Sequence, residues 1–152
     1  MTEQRLAGEG TCAVKADVAT VWTSLLDPQV LGELIPGTDR VEQDGDRYEA
    51  WLSYGTGQIR ARYHAQLSVS DLVPNQSLTL AGHSKGALGW GNARSLVSLA
   101  ARRNGTVITW RYEGHVGGPV ALLGGFVLRA GGRLFVGRFF AAFAARLERP
   151  GV

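Results

Sequence analysis

Three histidines (His64, His83, His115), one cysteine (Cys12) and thirteen acids are the side chains through which this chain could bind a metal or catalyse a reaction. The histidines show no metal-ligand spacing and Cys12 is remote from them in sequence, so no metal is expected. A single thiol allows neither an intrachain disulfide nor a cysteine-only metal site. No nucleophile elbow is expected, and Cys12 has no recognisable base partner. Asp39, Glu42, Asp44 and Asp46 cluster around an expected hairpin, where charges face water. Glu49 lies out of phase with Tyr48 and Ala50, and Glu113 with Tyr112 and Gly114, which turns both acids to the outer face of their strands. With no buried acid–base pair in view, no catalytic residue is assigned and the chain is read as a non-enzyme.

The glycine-rich run from Gly86 to Gly91 resembles a phosphate loop only superficially. It joins two strands instead of opening a helix, so it lacks the helix N-terminus that would hold an anion. It reads as a mobile hairpin, with Trp90 at its tip as a lid, a partner contact or simple packing.

These residues must be positioned by a sheet. Arg5 to Val14 forms a first strand. Asp17 caps a short helix over Val18–Leu26, with Val18, Val21, Trp22 and Leu25 at helical spacing. Asp27-Pro28 opens a second helix carrying Leu31, Leu34 and Ile35, and Pro36-Gly37 ends it. The period then changes to two. Arg40–Gln43 and Arg47–Tyr54 flank Asp44-Gly45-Asp46, a hairpin signal, and Tyr54-Gly55-Thr56-Gly57 reads as the next turn. The strand after it puts Ile59, Ala61, Tyr63, Ala65, Leu67 and Val69 on one face. Arg60, Arg62, His64, Gln66 and Ser68 take the other. Further strands follow over Ser77–Ser84, Asn92–Ala101 and Thr106–Val116, separated by Pro74-Asn75, by Lys85–Gly91 and by Arg103-Asn104-Gly105.

After Gly117-Gly118-Pro119 the pattern is helical to about Arg149. Leu122, Leu123, Phe126, Val127, Leu134, Phe135, Phe139, Phe140, Phe143 and Leu147 cover most of the helix circumference. Such a helix is either largely buried or makes a second apolar contact outside its own domain. Gly124, Gly125, Gly131 and Gly132 each weaken it by about 1 kcal/mol relative to alanine, which implies that room is being made for the sheet or for a bound molecule. Strand, two short helices, six strands and a long helix define an α+β helix-grip fold. In it an antiparallel sheet of about seven strands wraps the C-terminal helix, in one domain over 1–152.

Composition agrees. A chain of 152 residues, 45% hydrophobic and 19% charged, has enough apolar matter for a core. Its 21 glycines are about twice the usual share. The net charge of +3 is uneven. Residues 1–50 hold ten acids and four bases (−6); residues 51–152 hold three acids and twelve bases (+9). The basic C-terminal part could meet a membrane surface, an acidic protein or nucleic acid, or its arginines could simply solubilise an apolar helix; no nucleic-acid partner is assigned. Met1 to Arg5 has no basic segment followed by an apolar one, so a cytoplasmic chain without a signal peptide is expected. The longest uncharged run, Gly114–Leu128, is 15 residues, too short to span a bilayer.

By alternation Tyr48, Tyr54, Tyr63, Trp110 and Tyr112 share the helix side. Buried phenols need hydrogen-bond partners, so an apolar cavity lined with a few of them suits a planar ligand with polar substituents, such as a quinone. The expected lining is Leu34, Ile35, Tyr54, Tyr63, Leu80, Trp110 and Tyr112, completed from the C-terminal helix by Leu123, Phe126 and Val127.

Val21-Trp22, Leu26-Asp27-Pro28 and Leu34-Ile35-Pro36-Gly37 together resemble the opening pattern of the carbon monoxide dehydrogenase CoxG family. That family belongs to the START-like, polyketide-cyclase-like (SRPBCC) superfamily. The likeness continues through Gly45, Tyr48, Gly55-Thr56-Gly57, Gly82-x-Ser84-x-Gly86, Val116-Gly117-Gly118 and Leu122-Leu123-Gly124. It implies a helix-grip fold with a hydrophobic cavity, no covalently bound cofactor and no built-in catalytic residues. It also implies an accessory role beside a molybdenum hydroxylase, by recruiting it to the membrane or passing its electrons to a quinone such as menaquinone. Members with that role often carry a C-terminal membrane-binding extension. Here the chain stops at Arg149-Pro150-Gly151-Val152, so the expected contact is peripheral, at the inner membrane face, through the basic Phe-rich helix. Two alternatives remain open: a polyketide cyclase or aromatase using the same cavity, and an interaction module with the cavity collapsed.

Overall fold

The computed structural model describes residues 3–56 and 59–148, with the side chains of 55, 56, 59 and 60 left aside. Gly57 of the expected Tyr54–Gly57 turn and the expected helix end at Arg149 lie outside the described residues; the rest of that turn, residues 54–56, is instead paired strand.

The first strand, β1 (Glu3–Val14), is followed by α1 (Val18–Leu25) and α2 (Pro28–Leu34). Both helices start as their sequences dictate. The Asp17 carboxylate accepts a hydrogen bond from the Thr20 N–H at 2.9 Å, and Asp27 accepts one from the Gln29 N–H at 2.9 Å, with Pro28 opening α2. The remaining strands are β2 (Thr38–Asp44), β3 (Arg47–Thr56), β4 (Ile59–Val73), β5 (Ser77–Gly86), β6 (Gly89–Arg102) and β7 (Gly105–Gly117). They form one antiparallel sheet in the order β1-β7-β6-β5-β4-β3-β2. The Asp44 to Arg47 hairpin needs only Gly45-Asp46 as its loop, and Gly45 has φ +63°, the left-handed region a two-residue turn requires.

Two expectations change. The Lys85–Gly91 stretch is not a mobile loop: β5 and β6 run on until Gly86 pairs with Gly89, leaving Ala87-Leu88 as the turn. That turn is tied down on both sides. The Leu88 N–H donates to the Tyr63 hydroxyl at 3.2 Å, and the Leu88 carbonyl accepts from the Val120 N–H at 2.8 Å. Trp90 accordingly lies within β6, half-exposed, and its ring covers Gly117 on β7. Second, the C-terminal helix is not continuous from Pro119. A 3-10 helix over Pro119–Leu123 comes first, the chain turns at Gly124 with φ +89°, and α3 (Gly125–Leu147) follows. A side chain at 124 would be strained in that conformation, so glycine marks the break.

Helix α3 packs along β1, and only its second half reaches the core. Phe140, Phe143 and Ala144 join Val14, Val21, Val30, Leu78, Val97, Leu99, Ile108 and Trp110 in one buried cluster. Glu33 of α2 receives the Arg146 guanidinium at 2.7 Å, and the Glu148 carboxylate accepts the Lys15 N–H at 2.8 Å, which secures the end of the helix.

Candidate functional site

The face of the sheet turned toward α3 is built from alternate residues in register across the strands. One row runs Leu6, Gly114, Ala93, Gly82, Leu67 and Tyr48; the next runs Gly8, Tyr112, Ser95, Leu80 and Val69. At the paired positions of this face on β3 to β7 no carboxylate, imidazole, ammonium or guanidinium occurs. The charged groups are out of phase, as the alternation predicts: Glu49 meets His64 at 3.0 Å and Glu113 meets Arg5 at 3.2 Å on the outer face.

Gly82-His83-Ser84-Lys85-Gly86 matches the Gly-x-Ser-x-Gly letters of a nucleophile elbow. Its geometry is not that of a nucleophile elbow. The five residues lie inside β5, which leads through Ala87-Leu88 to another strand and not to a helix.

The expected lining residues fall into four groups. Leu34, Leu80, Trp110 and Tyr112 belong to or pack against the buried cluster beneath α3, and the Trp110 indole stacks on Phe140 with centroids 4.1 Å apart. Ile35 caps α2, its carbonyl accepting from the Thr38 hydroxyl at 2.8 Å. Tyr54 and Tyr63 meet each other edge to face, centroids 5.7 Å apart, toward the far end of the sheet. Leu123, Phe126 and Val127 are not gathered with them. Phe126 is 79% exposed and Leu123 60%, and with Leu122, Val127, Leu134 and Phe135 they form an apolar shelf on the 3-10 helix and the first half of α3. Arg129, Arg133 and Arg138 stand exposed on the same helix.

The tyrosines differ in what holds them. Tyr48 donates to the Leu26 carbonyl at 2.6 Å and accepts from Gln43. Burial, aided by the nearby Asp27 charge, pushes its pKa up. Tyr54, although 42% exposed, is also raised by the partial desolvation of its hydroxyl, with Tyr63 adding to the effect. Tyr112 is raised by burial although Arg133 pulls the other way, and its hydroxyl is the one buried side-chain polar atom without a hydrogen-bond partner among the described residues.

The glycines around these rings have a common purpose that the sequence did not reveal. A Cβ at Gly8 would stand 2.5 Å from the Tyr112 hydroxyl, and one at Gly10 would stand 2.5 Å from the Trp110 ring. Gly86 lies under Tyr63 and Gly117 under Trp90 in the same way. Each glycine lets an aromatic ring on the adjacent strand lie flat across the sheet. Alternation shows which face a ring takes, but only the register shows which glycine it covers.

The outer face carries two adjoining hollows of about 780 and 670 Å³ that share Arg94 and Glu113. The smaller is lined by Arg47, Gln66, His83, Asn92 and His115 among others. It was not anticipated, though the polar phase of each strand predicts where those side chains point.

No described helix is long and apolar enough to cross a membrane. The sequence profile of the carbon monoxide dehydrogenase CoxG family matches residues 10–148. A conserved protein from Geobacillus kaustophilus superposes with a TM-score of 0.85 at 30% identity, covering 93% of this chain and 95% of that one. The Zhui aromatase/cyclase from Streptomyces sp. R1128 has the same fold, with a TM-score of 0.59, 14% identity and coverage of 94% and 91%. The di-domain ARO/CYC StfQ from the steffimycin biosynthetic pathway matches over 97% of this chain and 52% of its own length, with a TM-score of 0.65 at 16% identity. Comparison with curated proteins gives no match.

Proposed function

The chain belongs to the carbon monoxide dehydrogenase CoxG family, and from that premise we propose that it is a non-catalytic domain that binds or carries an apolar molecule. The molecule is a quinone, such as menaquinone, or a lipid, and the domain serves a molybdenum hydroxylase of the carbon monoxide dehydrogenase type. The observation that carries this reading is the chemistry of the helix-side face: apolar and small residues with phenols, and no charged group at the paired positions of β3 to β7. Such a surface gives a ligand apolar contact worth roughly 25 cal/mol per Å² before the costs of association. A cyclase needs a general acid or base against its substrate, and Glu49 and Glu113 face the other way.

The shelf of Leu122, Leu123, Phe126 and Val127 supports a peripheral membrane position at the cytoplasmic side. It joins exposed apolar residues to three arginines, and the sequence holds no acid between Glu113 and Glu148. Apolar insertion plus attraction to anionic headgroups is the physics of interfacial binding.

The test is to purify the protein from its own cells without detergent and identify solvent-extracted molecules by mass spectrometry. A quinone or lipid in near-stoichiometric amount is expected. Repeated recovery of empty protein that also fails to take up added menaquinone overturns the reading.

A further inference from the structure

We propose that the Tyr112 hydroxyl is the hydrogen-bond donor that fixes the polar end of an apolar, carbonyl-bearing ligand in the seam between β1, β7 and α3. The assignment rests on the carrier reading above and adds to it the ligand's anchor and the functional group that the anchor selects.

Four tyrosines lie on the helix side of the sheet, and three are accounted for. Tyr48 is spent on the Leu26 carbonyl, Tyr63 accepts the Leu88 N–H, and Tyr54 is an exposed residue at the sheet's far end. Tyr112 alone has its oxygen out of solvent, with less than 1 Å² accessible, and without a partner. A buried phenol in that state has lost its hydrogen bonds to water and gained none, a cost that a bound acceptor removes.

Glycines flank the oxygen on two sides, the phenol filling the place that a side chain at Gly8 would take and α3 presenting Gly132 to it. Gly8 lies beneath it, and a Cβ there would collide with it at 2.5 Å. Gly132 faces it from α3, where a Cβ would stand 3.8 Å away. Leu80 and Ser95 are the next residues along the row. A phenol framed by glycine backbone, Leu80 and Ser95, with the Arg133 charge near enough to act on it, suits an oxygen acceptor on a hydrocarbon body. Burial keeps the phenol protonated, so at neutral pH it donates.

The experiment compares the wild-type protein with Tyr112→Phe and Tyr63→Phe. The probes are a naphthoquinone bearing two isoprene units and the naphthalene hydrocarbon with the same tail. Affinities are measured by equilibrium dialysis, and the bound quinone's carbonyl stretch by infrared difference spectroscopy. Wild type and Tyr63→Phe are expected to prefer the quinone about tenfold, with a lowered carbonyl frequency. Tyr112→Phe should lose that preference and the frequency shift while holding the hydrocarbon within about twofold of wild type. Retention of the preference by Tyr112→Phe, or equal weakening of both probes, overturns the anchor and leaves the carrier reading standing. Failure of both probes to bind the wild type overturns the carrier reading and the anchor together.

Discussion

The indole of Trp110 on β7 lies on the ring of Phe140 in α3, with centroids 4.1 Å apart and planes 13° from parallel. This stack, with Phe143 fully buried beside it, is where the sheet grips the helix. Phe140→Ala should therefore lower unfolding free energy by about 3–5 kcal/mol, or roughly 10 °C in Tm, in urea and thermal melts. Phe126→Ala, on the exposed half of the same helix, should change stability by no more than about 0.5 kcal/mol.

That contrast extends to membranes. Phe126→Glu should weaken sedimentation with vesicles of anionic phospholipid by about tenfold or more, since an inserted aromatic is replaced by a repelled charge. Arg129→Gln with Arg133→Gln should weaken it too, and raised salt should mimic that pair of changes but not fully mimic Phe126→Glu. Equal binding of all variants would remove the shelf from any role at a bilayer.

The ring-over-glycine pairs make a coupled prediction. Gly117→Ala forces the Trp90 ring off its seat and should cost about 1–3 kcal/mol. In a Trp90→Ala background the same change should be near neutral, because the obstructing ring is gone. A double-mutant cycle in urea should then give a coupling of about 1 kcal/mol or more; additive effects would refute the packing account.

Asp17 sets a pH-dependent term. The hydrogen bonds from Thr20 hold its carboxyl below the ordinary value of 3.8. A depressed folded-state pKa means stabilisation that is present above the unfolded value and is lost as pH falls through the folded one. The Tm gap between wild type and Asp17→Ala should be steady near neutrality and shrink below about pH 4. Asp17→Asn should keep most of the cap without that dependence.

Much of this architecture is legible in local pattern. Asp17, Asp27-Pro28 and Asp44-Gly45 each announce their turn or cap because the chemistry acts within a few residues. The period-two runs place Tyr63 and Tyr112 on the right face for the same reason. What local pattern does not carry is register. Nothing near Gly8 says that Tyr112, more than a hundred residues on, will lie across it, and nothing near Gly86 says that it must leave room for Tyr63. Periodicity also shows that α3 is apolar all round without showing which half the sheet reaches. Phe126 and Phe143 read alike in sequence; one is 79% exposed and the other is fully buried.

The strand order has a consequence for how the chain is made. From β2 to β7 every neighbour is also next in sequence, so those six strands can zip together hairpin by hairpin. Only β1 must wait, since its partner β7 begins at Gly105 and its covering helix at Gly125. On a ribosome adding about 5–20 residues per second, the first strand synthesised stays unpaired for several seconds or more. Glu3, Arg5 and Glu9, alternating along it, are charges of the kind that keep a waiting strand from pairing with another nascent chain.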